Sequence, residues 1–199
     1  MSGIISSNSS RHSGLLKASG GGSAVYNLIE TQTASSSSTI SFTTGIDSTY
    51  EKYVFKFYAI HFSTNRYLQV NFRDGGSDFD AVKTTVHFYT SHKEDDGLDS
   101  IATLAGNSQA QVTGIQRLTD NEMGTGNEDC LGGYFCLFDP SNTTFIKHFQ
   151  GQAQYKSDVG SHASHVSGYC NTTNVIDGVQ FSASGGTIDS GQISLYGIS

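Results

Sequence analysis

From Val25 onward, apolar and polar residues alternate with a period of two along most of the chain, the pattern of half-buried β-strands. Tyr26 and Leu28 begin a first run that extends to Thr33, the serines at 35–38 form a polar turn, and Thr39–Thr43 makes a short second strand. Tyr53–Phe62 (YVFKFYAIHF) is the strongest signal. Phe55, Phe57 and Ala59 share one face and Val54, Tyr58, Ile60 and Phe62 the other, which predicts a central strand buried on both sides.

Tyr67–Arg73 alternates Leu68, Val70 and Phe72 inward against Gln69, Asn71 and Arg73 outward, and Asp74-Gly75-Gly76 supplies a turn. In the next strand Val82, Thr84, Val86 and Phe88 form the apolar side, and Lys83, Thr85, His87 and Tyr89 a clean polar side. An acidic loop over 91–107 with a short helical turn around Leu98–Leu104 is expected next, then a weaker strand over Gln109–Leu118 and a second acidic loop over 120–129. Tyr134–Phe138 and Phe145–Tyr155 predict a hairpin around Asp139-Pro140-Ser141-Asn142, with Phe145, Phe149, Ala153 and Tyr155 on one face. His165–Asn171 is a further strand. The chain closes on Val179, Phe181 and Ala183, a Gly185-Gly186 break, then Ile193 and Leu195, read as a final hairpin.

Nine or ten strands without helical crossovers predict an all-β, antiparallel sandwich, with a jelly roll as the preferred winding. Residues 1–24 (MSGIISSNSSRHSGLLKASGGGSA) stand apart. They are rich in Ser and Gly and lack the apolar surface to offset their chain entropy, so the division is an extended N-terminal arm over 1–24 and a sandwich domain over 25–199. Ile4, Ile5, Leu15 and Leu16 are the arm's apolar pairs and its candidate docking residues.

Composition agrees with a strand- and turn-rich chain. Gly numbers 23 and Pro 1, aromatics reach 11% without any Trp, and charged residues are only 15%. The net charge of −7 and the lack of a basic run exclude a nucleic-acid partner, because duplex binding needs clustered Lys and Arg. No apolar run reaches the ~20 residues of a membrane span, and no secretory signal is expected. Cys130, Cys136 and Cys170 are an odd and sparse set, which favours reduced thiols over a Cys130–Cys136 bridge. The glycosylation sequons at Asn8, Asn142 and Asn171 carry little weight without a secretory signal.

Candidate chemistry is thin. Asp74, Asp78 and Asp80 would be a calcium-binding set, but their spacing does not match an EF-hand, and Asp-Gly turns are routine in hairpins. His162 and His165 are three apart, which on a strand puts them on opposite faces, and no cysteine pair completes a zinc site. No Gly-x-Ser-x-Gly elbow and no phosphate loop occurs. The acidic stretches 94–99 and 120–129 read as solvated loops. No catalytic residue, metal or cofactor is assigned. Tyr67, Tyr89 and Tyr155 are candidates for stacking on sugar rings.

Two stretches carry a family likeness, the opening MSGIISSNSSRHSGLLK and the closing VIDGVQFSASGGTIDSGQISLYGIS, with YEKYVFKFYAIHFSTNRYLQVNFRDGG between them. Together they resemble small β-sandwich virion structural proteins of tailed, often marine, bacteriophages. The pattern I-x-G-V-x-F…G-x-I-x-S-G-x-I-x-L-Y-G-I is matched from Ile176 to Ile198. The resemblance implies a non-enzymatic head decoration (cement) or tail-fibre subunit on the particle surface, assembled in the host bacterial cytoplasm. It further implies anchoring by the arm and a homotrimer among other virion proteins. The alternatives are a receptor-recognition module that binds a host surface glycan, and a glycan-acting enzyme.

Overall fold

The structure is a computed structural model that describes residues 25–97, 99–157 and 160–199. Twelve strands and one 3-10 turn (Ala105–Asn107) make up the described chain. They are β1 (Tyr26–Thr33), β2 (Thr39–Phe42), β3 (Lys52–Phe62), β4 (Leu68–Arg73), β5 (Lys83–Lys93), β6 (Asp99–Thr103), β7 (Gln116–Arg117), β8 (Leu131–Phe138), β9 (Lys147–Ser157), β10 (Gly160–Cys170), β11 (Gly178–Ala183) and β12 (Ile188–Ile198). Eight form one sheet in the order β1-β12-β3-β8-β9-β10-β5-β6, and four form a second in the order β2-β11-β4-β7. Every pairing is antiparallel. The result is the expected all-β antiparallel sandwich. A jelly-roll winding is not established by this eight-plus-four order.

The two sheets close over a layer of aromatic rings, because alternate residues of each strand point to the shared side. Phe181 of β11 sits edge-to-face against Phe42, Phe55 and Phe57, with centroids at 6.4, 5.2 and 5.1 Å. Phe72 of β4 lies 4.7 Å from Phe149 and 5.7 Å from Phe135 on the facing sheet. Burying each such ring contributes about 1.5–3 kcal/mol, so this layer dominates the stability of the sandwich.

The predicted β8/β9 hairpin forms, with Asn142 N–H donating to Asp139 O at 3.1 Å across the turn. Phe149, Ala153 and Tyr155 share its buried face, whereas Phe145 lies before β9 and is exposed. Other expected pairings do not form: the Tyr67–Arg73 run, expected as the partner of the Tyr53–Phe62 strand just before it, lies in the other sheet, and two expected hairpins are absent. β11 belongs to the small sheet and β12 to the large one, and β4 and β5 are divided in the same way. The connections 184–187 and 74–82 therefore climb from one sheet to the other. Alternation in sequence shows which side of a strand is buried, but a strand in either sheet satisfies that pattern equally well.

The segment expected to hold a helical turn near Leu98 instead contains edge strand β6, which pairs Asp99–Thr103 with Phe88–His92, and the 3-10 turn follows it. The strand expected over Gln109–Leu118 shrinks to β7 and an isolated Lys83–Val112 bridge. Register shifts interrupt the large sheet in β1 between Leu28 and Glu30 and along β12, β3 and β8, where the bulge centres on Ala59. Ala59 adopts a positive φ of 47°, and facing Gly191 has φ +100°, with Ala59 O only 2.4 Å from where a Cβ on Gly191 would stand.

Candidate functional site

The outer side of the eight-stranded sheet is the broadest exposed feature. The ladder aligns Lys56, Tyr134, Gln152, His165, Phe88 and Thr103 in one row across β3, β8, β9, β10, β5 and β6. Around it Tyr26, Leu28, Tyr58, Val86 and Ile101 stay exposed, Leu28 at 60% and Ile101 at 77%. Lys56 Nζ rests 4.2 Å from the ring centre of Tyr26 and 4.9 Å from that of Tyr196, and His165 stacks on Phe88 at 4.8 Å. Shallow depressions mark this side. One of about 470 Å³ is lined by Val86, Phe138, His148 and Tyr169, and another of about 360 Å³ by Tyr26, Lys52, Lys56 and Tyr134. None of the outward positions on β3, β8, β9 or β10 carries a carboxylate, so a strongly acidic chain presents here a neutral-to-basic, aromatic plane.

The inner side of β5 is polar, which reverses its expected orientation, and it meets buried polar side chains of β9 and β10 that lie beside the apolar Phe149, Ala153 and Val166. Lys83, Thr85 and His87 point inward and are buried, while Val86 and Phe88 face out. A one-residue change of face exchanges every side chain of a strand, and here hydrogen bonds compensate the buried polar set. Thr85 Oγ1 donates to Gln116 Oε1 at 2.6 Å. Asp120, expected in a solvated loop, is buried as the hub of this network. Its Oδ1 accepts from Tyr155 OH at 2.7 Å and Ser164 Oγ at 2.8 Å, and its Oδ2 lies 2.9 Å from His162 Nδ1. His162 Nε2 lies 3.0 Å from Ser157 Oγ.

Burial opposes the charge on Asp120, but the bonds from His162, Tyr155 and Ser164 hold its carboxyl below the usual range. Burial, helped by the charge of Asp120, pushes the Tyr155 hydroxyl up. Because Ser164 spends its proton on Asp120, His87 Nε2–H donates to Ser164 Oγ at 3.0 Å, which leaves His87 Nδ1 a buried acceptor without a partner. Burial pushes the His87 imidazole down to about 4, so it stays neutral. Ser157, His162 and Asp120 have the connectivity of nucleophile, base and orienting acid. Ser157 is nevertheless only 1% exposed, and the arrangement ties the 119–129 loop to β9 and β10.

A third place lies beside the bulge. His61 Nδ1 is 2.7 Å from Asp189 Oδ1 and Nε2 is 3.2 Å from Gly126 O, and with exposed Cys130 and Asn127 they line a depression of about 410 Å³. The hydrogen bond to Asp189 holds the His61 imidazole above its usual value despite partial burial.

The arm residues Ile4, Ile5, Leu15 and Leu16 lie outside the described residues. Asp74 is half-buried while Asp78 and Asp80 are exposed, and no group of three or more His, Cys, Asp or Glu side chains is placed to hold a metal among the described residues. The calcium set therefore finds no support. His162 and His165 take opposite sides of β10, as their spacing required. Of the sugar-stacking tyrosines, Tyr155 is buried, Tyr67 is covered by the Arg117 guanidinium at 3.9 Å, and Tyr89 is half-buried. The exposed platform residues are instead Tyr26, Tyr58 and Tyr134. The acidic stretch 94–99 is solvated as expected at its described positions, but Asp129 is buried and receives Lys156 Nζ at 3.1 Å. Cys130, Cys136 and Cys170 are all unpaired. Among the described residues no helix is long and apolar enough to cross a membrane.

These features define the class as an antiparallel β-sandwich with one broad, aromatic outer plane whose four middle strands carry no carboxylate. No protein-family model matches the chain, and no curated protein matches it.

Proposed function

We propose that this chain is a non-enzymatic structural subunit of a bacteriophage particle, of head-decoration or tail-fibre type. In this reading it joins neighbouring copies as a homotrimer through the outer plane of its eight-stranded sheet, while residues 1–24 anchor it to other virion proteins. The observation that supports it is that plane itself. Its exposed Leu28, Val86, Phe88, Ile101 and Tyr134 give contact area, and the lack of carboxylates on its four middle strands lets copies of an acidic chain meet there with little repulsion.

Light scattering on the full-length chain tests this. The expected mass is three times the 21.3 kDa chain, falling toward one chain when Val86→Lys and Tyr134→Lys are combined. A wild-type monomer at high concentration would count against the reading.

A second reading rests on a different aspect of the same surface. Tyr134 and Phe88 stand beside Gln150, Gln152 and His165, and aromatic rings flanked by amide donors and acceptors suit sugar recognition on a tail fibre. Under it, Tyr134→Ala abolishes glycan-array binding and leaves the mass in solution unchanged.

A further inference from the structure

Lys83 opens β5, Lys147 opens β9, and Cys170 closes β10 between them, directly opposite both lysines. All three are fully buried. Taking two ammonium groups out of water is costly unless each meets an anion, yet no carboxylate lies within ion-pair distance of either lysine among the described residues. Lys147 Nζ donates to Thr172 O at 3.2 Å. Lys83 Nζ donates to Asn71 Oδ1 at 2.7 Å, to Ala81 O at 3.1 Å and to Thr113 O at 3.4 Å.

Asn71 is itself buried, and each atom of its amide is engaged. Its Oδ1 also accepts the Phe72 N–H at 3.1 Å, and its Nδ2 donates to Phe79 O and to Thr113 O. The amide plane is thereby fixed and its carbonyl polarised by a backbone donor and by Lys83. The two partners belong to different sheets, Asn71 to β4 and Lys83 to β5.

We propose that Lys83 Nζ and Asn71 Cγ become joined in an intramolecular isopeptide bond that staples the two sheets together. The environment favours the reaction in three ways. Burial brings the Lys83 amine down to about 8, against the opposing charges of Asp80 and Asp74, so mildly alkaline solution holds much of it as the neutral nucleophile. The reacting groups are already in contact, which removes the entropy cost of encounter. The Phe72 N–H points at the oxygen that gains negative charge.

The step balances without any oxidant. The neutral amine attacks Cγ, the Nζ–Cγ bond forms, and charge gathers on Oδ1. As Nζ bonds to Cγ, one of the two protons of the neutral amine passes to Nδ2, which turns Nδ2 into the ammonia leaving group. The Cγ–Nδ2 bond then breaks, ammonia departs, and a secondary amide remains.

Mass spectrometry of the denatured full-length protein, after incubation in mildly alkaline buffer, decides the matter. The expected intact mass is lower than the sequence mass by one ammonia. Trypsin should then release residues 67–73 joined to residues 74–93, because a Lys83 in amide linkage is no longer cleaved. Asn71→Asp should form the same linkage by losing water instead, and Lys83→Met should show its full sequence mass. A wild-type chain at its full sequence mass overturns the proposal. So does a loss of ammonia without the branched peptide, which would place the loss at another asparagine.

Discussion

Acid should loosen this fold through His87, and the size of the effect follows from its burial. The ring stays neutral in the folded protein down to about pH 4, held there by burial and by nearby Arg117 and His165, with only the charge of Asp120 opposing. In the unfolded chain it takes up a proton near its ordinary value of 6.5. Between those values the unfolded state binds more protons, so His87's contribution is whole above about pH 6.5 and is lost as the pH falls toward 4. At about pH 5 the linkage amounts to about 2 kcal/mol. The assay is urea unfolding at neutral pH and at about pH 5, for the wild type and for His87→Asn, which keeps a neutral donor toward Ser164. The wild type should lose about 2 kcal/mol more than the variant across that interval. His61 titrates in the opposite sense, because its folded value is raised, but it does so equally in both proteins and cancels. Equal losses in wild type and variant would refute the account of a neutral, desolvated His87.

Three further outcomes follow from the packing. Phe181→Ala removes the ring that meets Phe42, Phe55, Phe57 and Phe135, and calorimetry should show a loss of about 3–5 kcal/mol. Asp120→Ala leaves His162, Tyr155 and Ser164 without their acceptor and should cost about 3–5 kcal/mol, with faster hydrogen exchange at Asn121, whose N–H is held 2.8 Å from Tyr155 OH. Gly191→Ala must place a Cβ against Ala59 O at φ +100° and should destabilise by about 1–3 kcal/mol in chemical denaturation, while Gly106→Ala, where nothing lies within 4 Å, stays near neutral.

β3 and β5 show how far the sequence could be read. β3 was legible as a strand inside the large sheet, because Tyr53, Phe55, Phe57, Ile60 and Phe62 leave almost no polar alternative. It is not buried on both sides as expected: Lys56 and Tyr58 face outward, and the bulge at Ala59 brings Ile60 and Phe62 into the core with Phe55 and Phe57. β5 was legible as a strand but not in its facing. Its alternation is clean on both sides, and burying the apolar side is the default only when the polar side has no partners. Here Asn71, Gln116 and Ser164 supply them, and all three lie outside β5, on β4, β7 and β10. The burial of Asp120 is hidden in the sequence for the same reason. A carboxylate in an acidic stretch looks solvated until three donors from β9 and β10 converge on it.

The sequence by itself determined the class of fold, most of the strands, the turn at Asp139–Asn142 and the opposite facing of His162 and His165, because each follows from local geometry with a period of two. The tertiary structure alone decided which sheet each strand joins, which side of β5 is buried, and that Asn71 meets Lys83. Those are contacts between residues distant in sequence or on opposing sheets, and their energies depend on which partner groups arrive together rather than on any stretch of chain taken alone.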